Sequence, residues 1–322
     1  MSLTGIATVA RHELRVRVRR GRWQVLVIVW FAVLAGLLGL LRTAVVGDPL
    51  GDQEPVGAVM YGGLQLIVLA LAVLVVPALS AQSVNGDRER GVLATLQVTR
   101  LTAAEIALGK FFAAWGTALV FVAATAPLVV WCMAEGGVRL MSVLVVTVVM
   151  AALLGTVCAV ALGFSAVLAR TTTSAVLSYL FVFGLTVGTL VLFGLATAVG
   201  PQIEVTESFD DEEFTFTQPD TRRSWVFLAP NPFVVLADAA PYRGDPIGQG
   251  LDPLGGLGRT VRFLRTPPSP QGGPQLQNPD DVPPVWPTGL AVNVALALAA
   301  LGLTAWRLRT PARRLPRGQR VA

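Results

Sequence analysis

Six apolar runs, each long enough to cross a bilayer, occupy most of the 322 residues and leave few folds open to the chain. They cover residues 23–41, 59–81, 111–133, 140–168, 175–199 and 288–306, and none carries a charge in its middle. At ~1.5 Å of rise per residue, helices of this length match the ~30 Å hydrocarbon core of a membrane. Charged residues make up 14% of the chain, against about 25% in a soluble domain. That is too few to coat a water-facing surface. The expected fold is all-α: one polytopic membrane domain with six transmembrane helices.

The arginines predict its orientation. Arg11, Arg15, Arg17, Arg19, Arg20 and Arg22 precede the first run, and Arg307, Arg309, Arg313, Arg314, Arg317 and Arg320 follow the last. With six spans both tails share a side, and the loop between spans two and three adds Arg88, Arg90, Arg100 and Lys110 there. The opposite loops are poor in cations: Arg42 faces Asp48, Asp52 and Glu54 in one, and Glu135 and Arg139 balance in the other. By the positive-inside rule both termini are cytoplasmic. The net charge of +5 is thus a topological signal and not a nucleic-acid footprint. The first run is too long, and lacks a small-residue cleavage site after it, to be a signal peptide; it is expected to be a retained span.

In the stretch before the first span, Leu3, Ala7, Ala10, Leu14 and Val18 fall on one helical stripe and Arg11, Arg15, Arg19 and Arg22 on another. Such a helix suits the membrane interface, the alternative being a solvated basic leader. His12 is expected at a surface. Within the spans, Ala151, Gly155, Ala159 and Gly163, and again Gly184 and Gly188, form small-residue faces at four-residue spacing that let helices approach closely. Pro77 and Pro127 each remove a backbone donor and predict kinks. Gln65 and Asn293 are the amides of the span interiors. They either bond neighbouring helices or line a pathway. Cys132 and Cys158 lie in apolar runs and read as buried thiols.

The loop 82–110 is more informative. Asn85–Gly86 reads as a turn, followed by an amphipathic stretch with Val92, Leu93 and Leu96 on one side. Thr102 and Glu105 then form a capping box that opens a helix running into span three. Between spans five and six, the segment 200–286 holds twelve acids against six arginines, a balance of −6 that fits an outer location. Its part 224–240 is apolar but too short to span, and Pro230 and Pro232 would break a spanning helix. A re-entrant or interfacial pair of short helices is expected. Residues 241–287, rich in Pro and Gly, read as an irregular loop, and the acidic run 210–213 as a solvated patch.

No phosphate-binding G-x-x-x-x-G-K-[ST] loop, H-E-x-x-H, C-x-x-C or G-x-S-x-G is present. No catalytic residue, metal site or cofactor is expected. No span carries paired carboxylates, which argues against an ion-coupled transporter.

Three stretches resemble the permease subunits of type-2 ABC exporters: ARHELRVRVRRGRW at the amino terminus, ERGVLATLQVTRLTAAEIALGK at 89–110, and LAPNPFVVLADA at 228–239. Val92, Ala94 and Arg100 depart from that family's pattern, in which Thr, Glu and Pro are frequent, and the outer segment is longer than in the simplest members. The resemblance implies an exporter subunit in a bacterial plasma membrane that pairs with a second permease and with two copies of a separate ATPase. It makes Glu89, Arg90, Gly91, Leu93, Leu96 and Arg100 the contacts of a coupling helix. Alternatively, Leu93 and Leu96 pack beneath span two. The competing function is a membrane scaffold or sensor that uses its outer loop.

Overall fold

The computed structural model describes residues 2–18, 22–47, 55–89, 91, 101–209, 212–240, 252–265 and 282–309. Among these, six helical segments are long and apolar enough to cross a membrane: Trp23–Val46, Val56–Glu89, Ala103–Ala134, Leu140–Val167, Thr171–Val199 and Trp286–Leu308. The chain is a multi-pass, predominantly helical membrane protein. Large apolar side chains on its outer surface, such as Ile28 (66% exposed) and Val148 (67%), have no place on a soluble surface and suit contact with lipid.

Helix α1 (Leu3–Val18) precedes the spans. Span one is α2 (Arg22–Val46), and span two is α3 (Val56–Ser80), continued by the short helix α4 (Asn85–Glu89). Span three is broken into α5 (Ala103–Ala123) and α6 (Ala126–Ala134). Pro127, in the first turn of α6, accounts for the break, because its ring excludes the carbonyl four residues earlier. Span four is α7 (Leu140–Val167). It carries Met150, Leu153, Leu154 and Cys158 in the core, where α3 contributes Met60, Leu64 and Val68.

The small-residue face of α7 is used within the chain. A Cβ at Gly155 would lie 3.4 Å from Nε1 of Trp115, on α5, and one at Gly163 would lie 3.4 Å from Ala300 of span six. Span six is α12 (Trp286–Leu308). Cys132 and Cys158 are buried free thiols.

Span five consists of α8 (Thr171–Phe183), a π-helical turn (Gly184–Gly188) and α9 (Thr189–Val199). Gly184 meets no neighbouring element. The expected glycine face therefore borders a π turn and makes no helix contact within the chain.

The segment 200–286 holds a hairpin that was not foreseen and, within the 241–287 stretch read as an irregular loop, a helix. Strands β1 (Gln202–Phe209) and β2 (Glu212–Pro219) form an antiparallel hairpin, in register from Gln202↔Pro219 to Phe209↔Glu212. Then come a 3₁₀ turn (Ser224–Phe227), α10 (Pro232–Ala239) and α11 (Pro253–Phe263). The expected pair of short helices is present in 224–240. Helix α11 was unexpected; it begins at the cap Asp252, whose carboxylate accepts from the amides of Leu254 and Gly255.

This segment inserts between the ends of the spans. Asn231 Nδ2 donates to Thr186 O (2.8 Å) and Thr189 Oγ1 (2.9 Å) at the π turn, where Thr186 O also accepts from Thr189 Oγ1 (3.0 Å). Thr186 lies thirteen residues before the end of span five, about 20 Å along a helix. Asp238, 1% exposed, accepts from Arg262 Nε at 2.7 Å and from the amides of Val285 and Trp286, so it caps α12 and fixes α11 together.

Candidate functional site

The expected coupling loop lies at the end of the bundle that also holds α1 and the last turn of α12. The sequence placed a turn at Asn85–Gly86; the structure has helix α4 starting there. The cause is tertiary: Ser165 Oγ, from the end of α7, accepts from the amides of Val84 and Asn85 at 3.1 Å each and so supplies a cap from another helix. Arg88 donates to Asn85 Oδ1 at 3.2 Å and to the carbonyls of Leu168 and Ala166 at 3.4 Å, tying α4 to the C-terminus of α7. Glu89 is exposed at the end of α4. Gly91 takes φ +73°, a left-handed conformation that stops the helix and favours glycine. Arg90, Leu93, Leu96 and Arg100 lie outside the described residues.

Lys110 is the hub of the site. Its side chain is fully buried, and its ammonium donates to Glu13 Oε1 on α1 (2.5 Å), to Asp87 Oδ2 on α4 and to Ser83 O (3.1 Å). Three segments distant in sequence thus meet on one cation.

The rest of the E-I-x-x-G-K stretch serves the same junction. Glu105 accepts from the amides of Thr102 (2.8 Å) and Ser2 (2.5 Å), while Thr102 Oγ1 accepts from Glu105 N (3.3 Å). The expected capping box is present and also anchors the start of α1. Ile106 packs with Val84, Leu162 and Leu308. Gly109 lets α1 approach closely, since a Cβ there would sit 2.5 Å from Cβ of Val9. The residues of α1 buried against the bundle are Gly5 and Val9, on the side roughly opposite Leu3 and Ala7 of the expected apolar stripe, which stay exposed.

The two interior amides are both buried. Asn293 Nδ2 donates to Pro230 O (3.0 Å) and Gly289 O (2.9 Å), holding the turn at Pro230 against α12. Gln65 lies on α3 within the central core.

At the opposite end of the bundle, Glu135 accepts from Arg42 Nε (2.7 Å) and Trp131 Nε1 (3.1 Å). The Arg42 bond first, then that of Trp131, hold its carboxyl below the ordinary range. Beyond the rarity of lysine, no local pattern signals the Glu13–Lys110–Asp87 cluster, because the three residues are joined only by packing. No protein-family model matches the chain, and no curated protein matches it.

Proposed function

We propose that the chain is the membrane-spanning permease subunit of an ATP-driven exporter. It works with two copies of a separate ATP-binding-cassette ATPase and with a second permease, identical or related. The observation that carries this reading is the Lys110 cluster. A short helix between spans two and three is joined through one buried ammonium to α1 and to α5, and through Ser165 and Arg88 to α7. Force applied to α4 therefore reaches spans two, three and four, and α1, through direct side-chain contacts. The arginine asymmetry supports cytoplasmic termini, with α4 on the side where ATP is found and the hairpin outside. The scarcity of polar groups in the spans supports a hydrophobic or amphipathic substrate.

The scaffold reading has one observation in its favour, the ordered hairpin and α10–α11 unit on the opposite end. Two measurements separate the readings. Affinity-tagged permease should retain an ATPase subunit and stimulate its ATP turnover in lipid; a chain that retains none is not this exporter's permease. Single-cysteine labelling should reach Thr217→Cys from outside intact cells and Thr8→Cys only after permeabilisation. The reverse pattern would invert the topology and remove α4 from the ATP side.

A further inference from the structure

The end of the bundle that holds α1 and α4 carries cations that its acids do not neutralise. Glu13 and Asp87 bind the Lys110 ammonium, and Glu105 accepts from the amides of Thr102 and Ser2. Glu89 is exposed and forms no ion pair among the described residues. Arg88 and Arg307 lie where α4, the end of α7 and the last turn of α12 converge, beside the buried Val84, Ala166 and Leu308.

This pair of arginines has hydrogen bonds but no counter-charge. Arg88 donates to Asn85 Oδ1 and to the carbonyls of Ala166 and Leu168, all neutral acceptors. Arg307 lies within repulsive reach of Arg88. Its own side chain makes no hydrogen bond and no ion pair among the described residues. Arg170, exposed two residues beyond Leu168, adds a further positive charge. The adjoining stretches 19–21, 90, 92–100 and 310–322 contain no aspartate or glutamate, so none of them brings a side-chain carboxylate to the pair. Like charges held together at a partly buried junction repel unless an anion joins them.

The surface beside Arg307 says which anion. Leu303 (43% exposed) and Trp306 (64%) share its face of α12 at helical spacing and stand outside the bundle, in the last turns of a span. We propose that the junction binds one anionic phospholipid of the leaflet at this end, its phosphate between Arg88 and Arg307 and an acyl chain along Leu303 and Trp306. A zwitterionic lipid brings no net charge to the pair. Free phosphate brings the charge but leaves the apolar strip bare, and an acidic protein surface does not reach Leu303 within the bilayer. Occupancy needs only a bilayer and not an ATPase, so it stands apart from the exporter reading.

The test is native mass spectrometry of the purified full chain after incubation with phosphatidylglycerol or phosphatidylcholine, with inorganic phosphate as competitor. The wild type should retain phosphatidylglycerol in preference to phosphatidylcholine, and inorganic phosphate should not displace it. Arg307→Gln should weaken that retention about tenfold, the size of one lost charge-assisted hydrogen bond. Arg11→Gln, at an exposed arginine of the same end, should leave it unchanged. Trp306→Ala removes most of the apolar strip and should weaken retention severalfold; it decides the question should Arg307→Gln fail to fold. Equal retention of phosphatidylcholine, displacement by inorganic phosphate, an equal loss in Arg11→Gln, or undiminished retention in Arg307→Gln or Trp306→Ala would each overturn the site.

Discussion

Lys110 is the single lysine of the chain, and every donor of its ammonium is used inside the protein. A buried ion cluster adds little net stability compared with an apolar replacement of the whole, but removing one partner strands the others. Lys110→Met leaves Glu13 and Asp87 facing each other without their shared cation and should cost about 3–5 kcal/mol. The measurement is denaturant or thermal unfolding in a fixed detergent. Adding Glu13→Gln and Asp87→Asn to Lys110→Met should recover part of the loss, and a single variant as stable as wild type would show that the cluster does not hold the junction. Glu135 makes a pH-dependent contribution. Its folded carboxyl is held low by Arg42 and Trp131, so the stabilisation is present at neutral pH and is lost as pH falls through the folded value. Arg42→Gln should therefore flatten the acid limb of a melting-temperature profile. An acid limb identical to that of the wild type would rule out the pair as its source.

Elements differ in how far the sequence foretold them. The spans follow from unbroken apolar length, and α5 begins where the Thr102–Glu105 capping box puts it, because both signals are local. The hairpin was also legible: IEVTESF and FTFTQ alternate apolar with polar residues in a period-2 pattern that the acidic run between them obscures. The π turn had no such signal. Asn231, forty-two residues beyond Thr189, adds a second side-chain donor to Thr186 O, which also accepts from Thr189 Oγ1. Replacing that donor tests the relation. Asn231→Leu should leave Thr186 O with Thr189 Oγ1 as its remaining side-chain donor, cost about 1 kcal/mol, and accelerate hydrogen exchange across residues 184–189. Unchanged exchange there would mean that the π turn holds itself.

For the whole molecule, two ends carry two kinds of order. One end carries α1, α4 and the Lys110 cluster; the other carries the hairpin, α10 and the Asp238–Arg262 pair. The candidate site was half legible. Glu105, Gly109 and Lys110 stood out as a motif, but their roles as cap, close contact and ionic hub depend on Ser2, Val9, Glu13 and Asp87, which only the tertiary fold brings near. The exporter account requires that α4 and the residues following it receive force from a partner. The apolar edge Leu93 and Leu96 should be central to that contact, with Glu89, Arg90 and Arg100 at its rim, where charges are screened and weigh less. The most direct measurement is retention of the proposed ATPase by the affinity-tagged chain carrying Leu93→Asp or Leu96→Asp, with export measured in the same cells. Both variants should insert at wild-type levels yet lose the ATPase and export, while Arg90→Ala loses little. Full ATPase retention and full export in both aspartate variants would contradict the account.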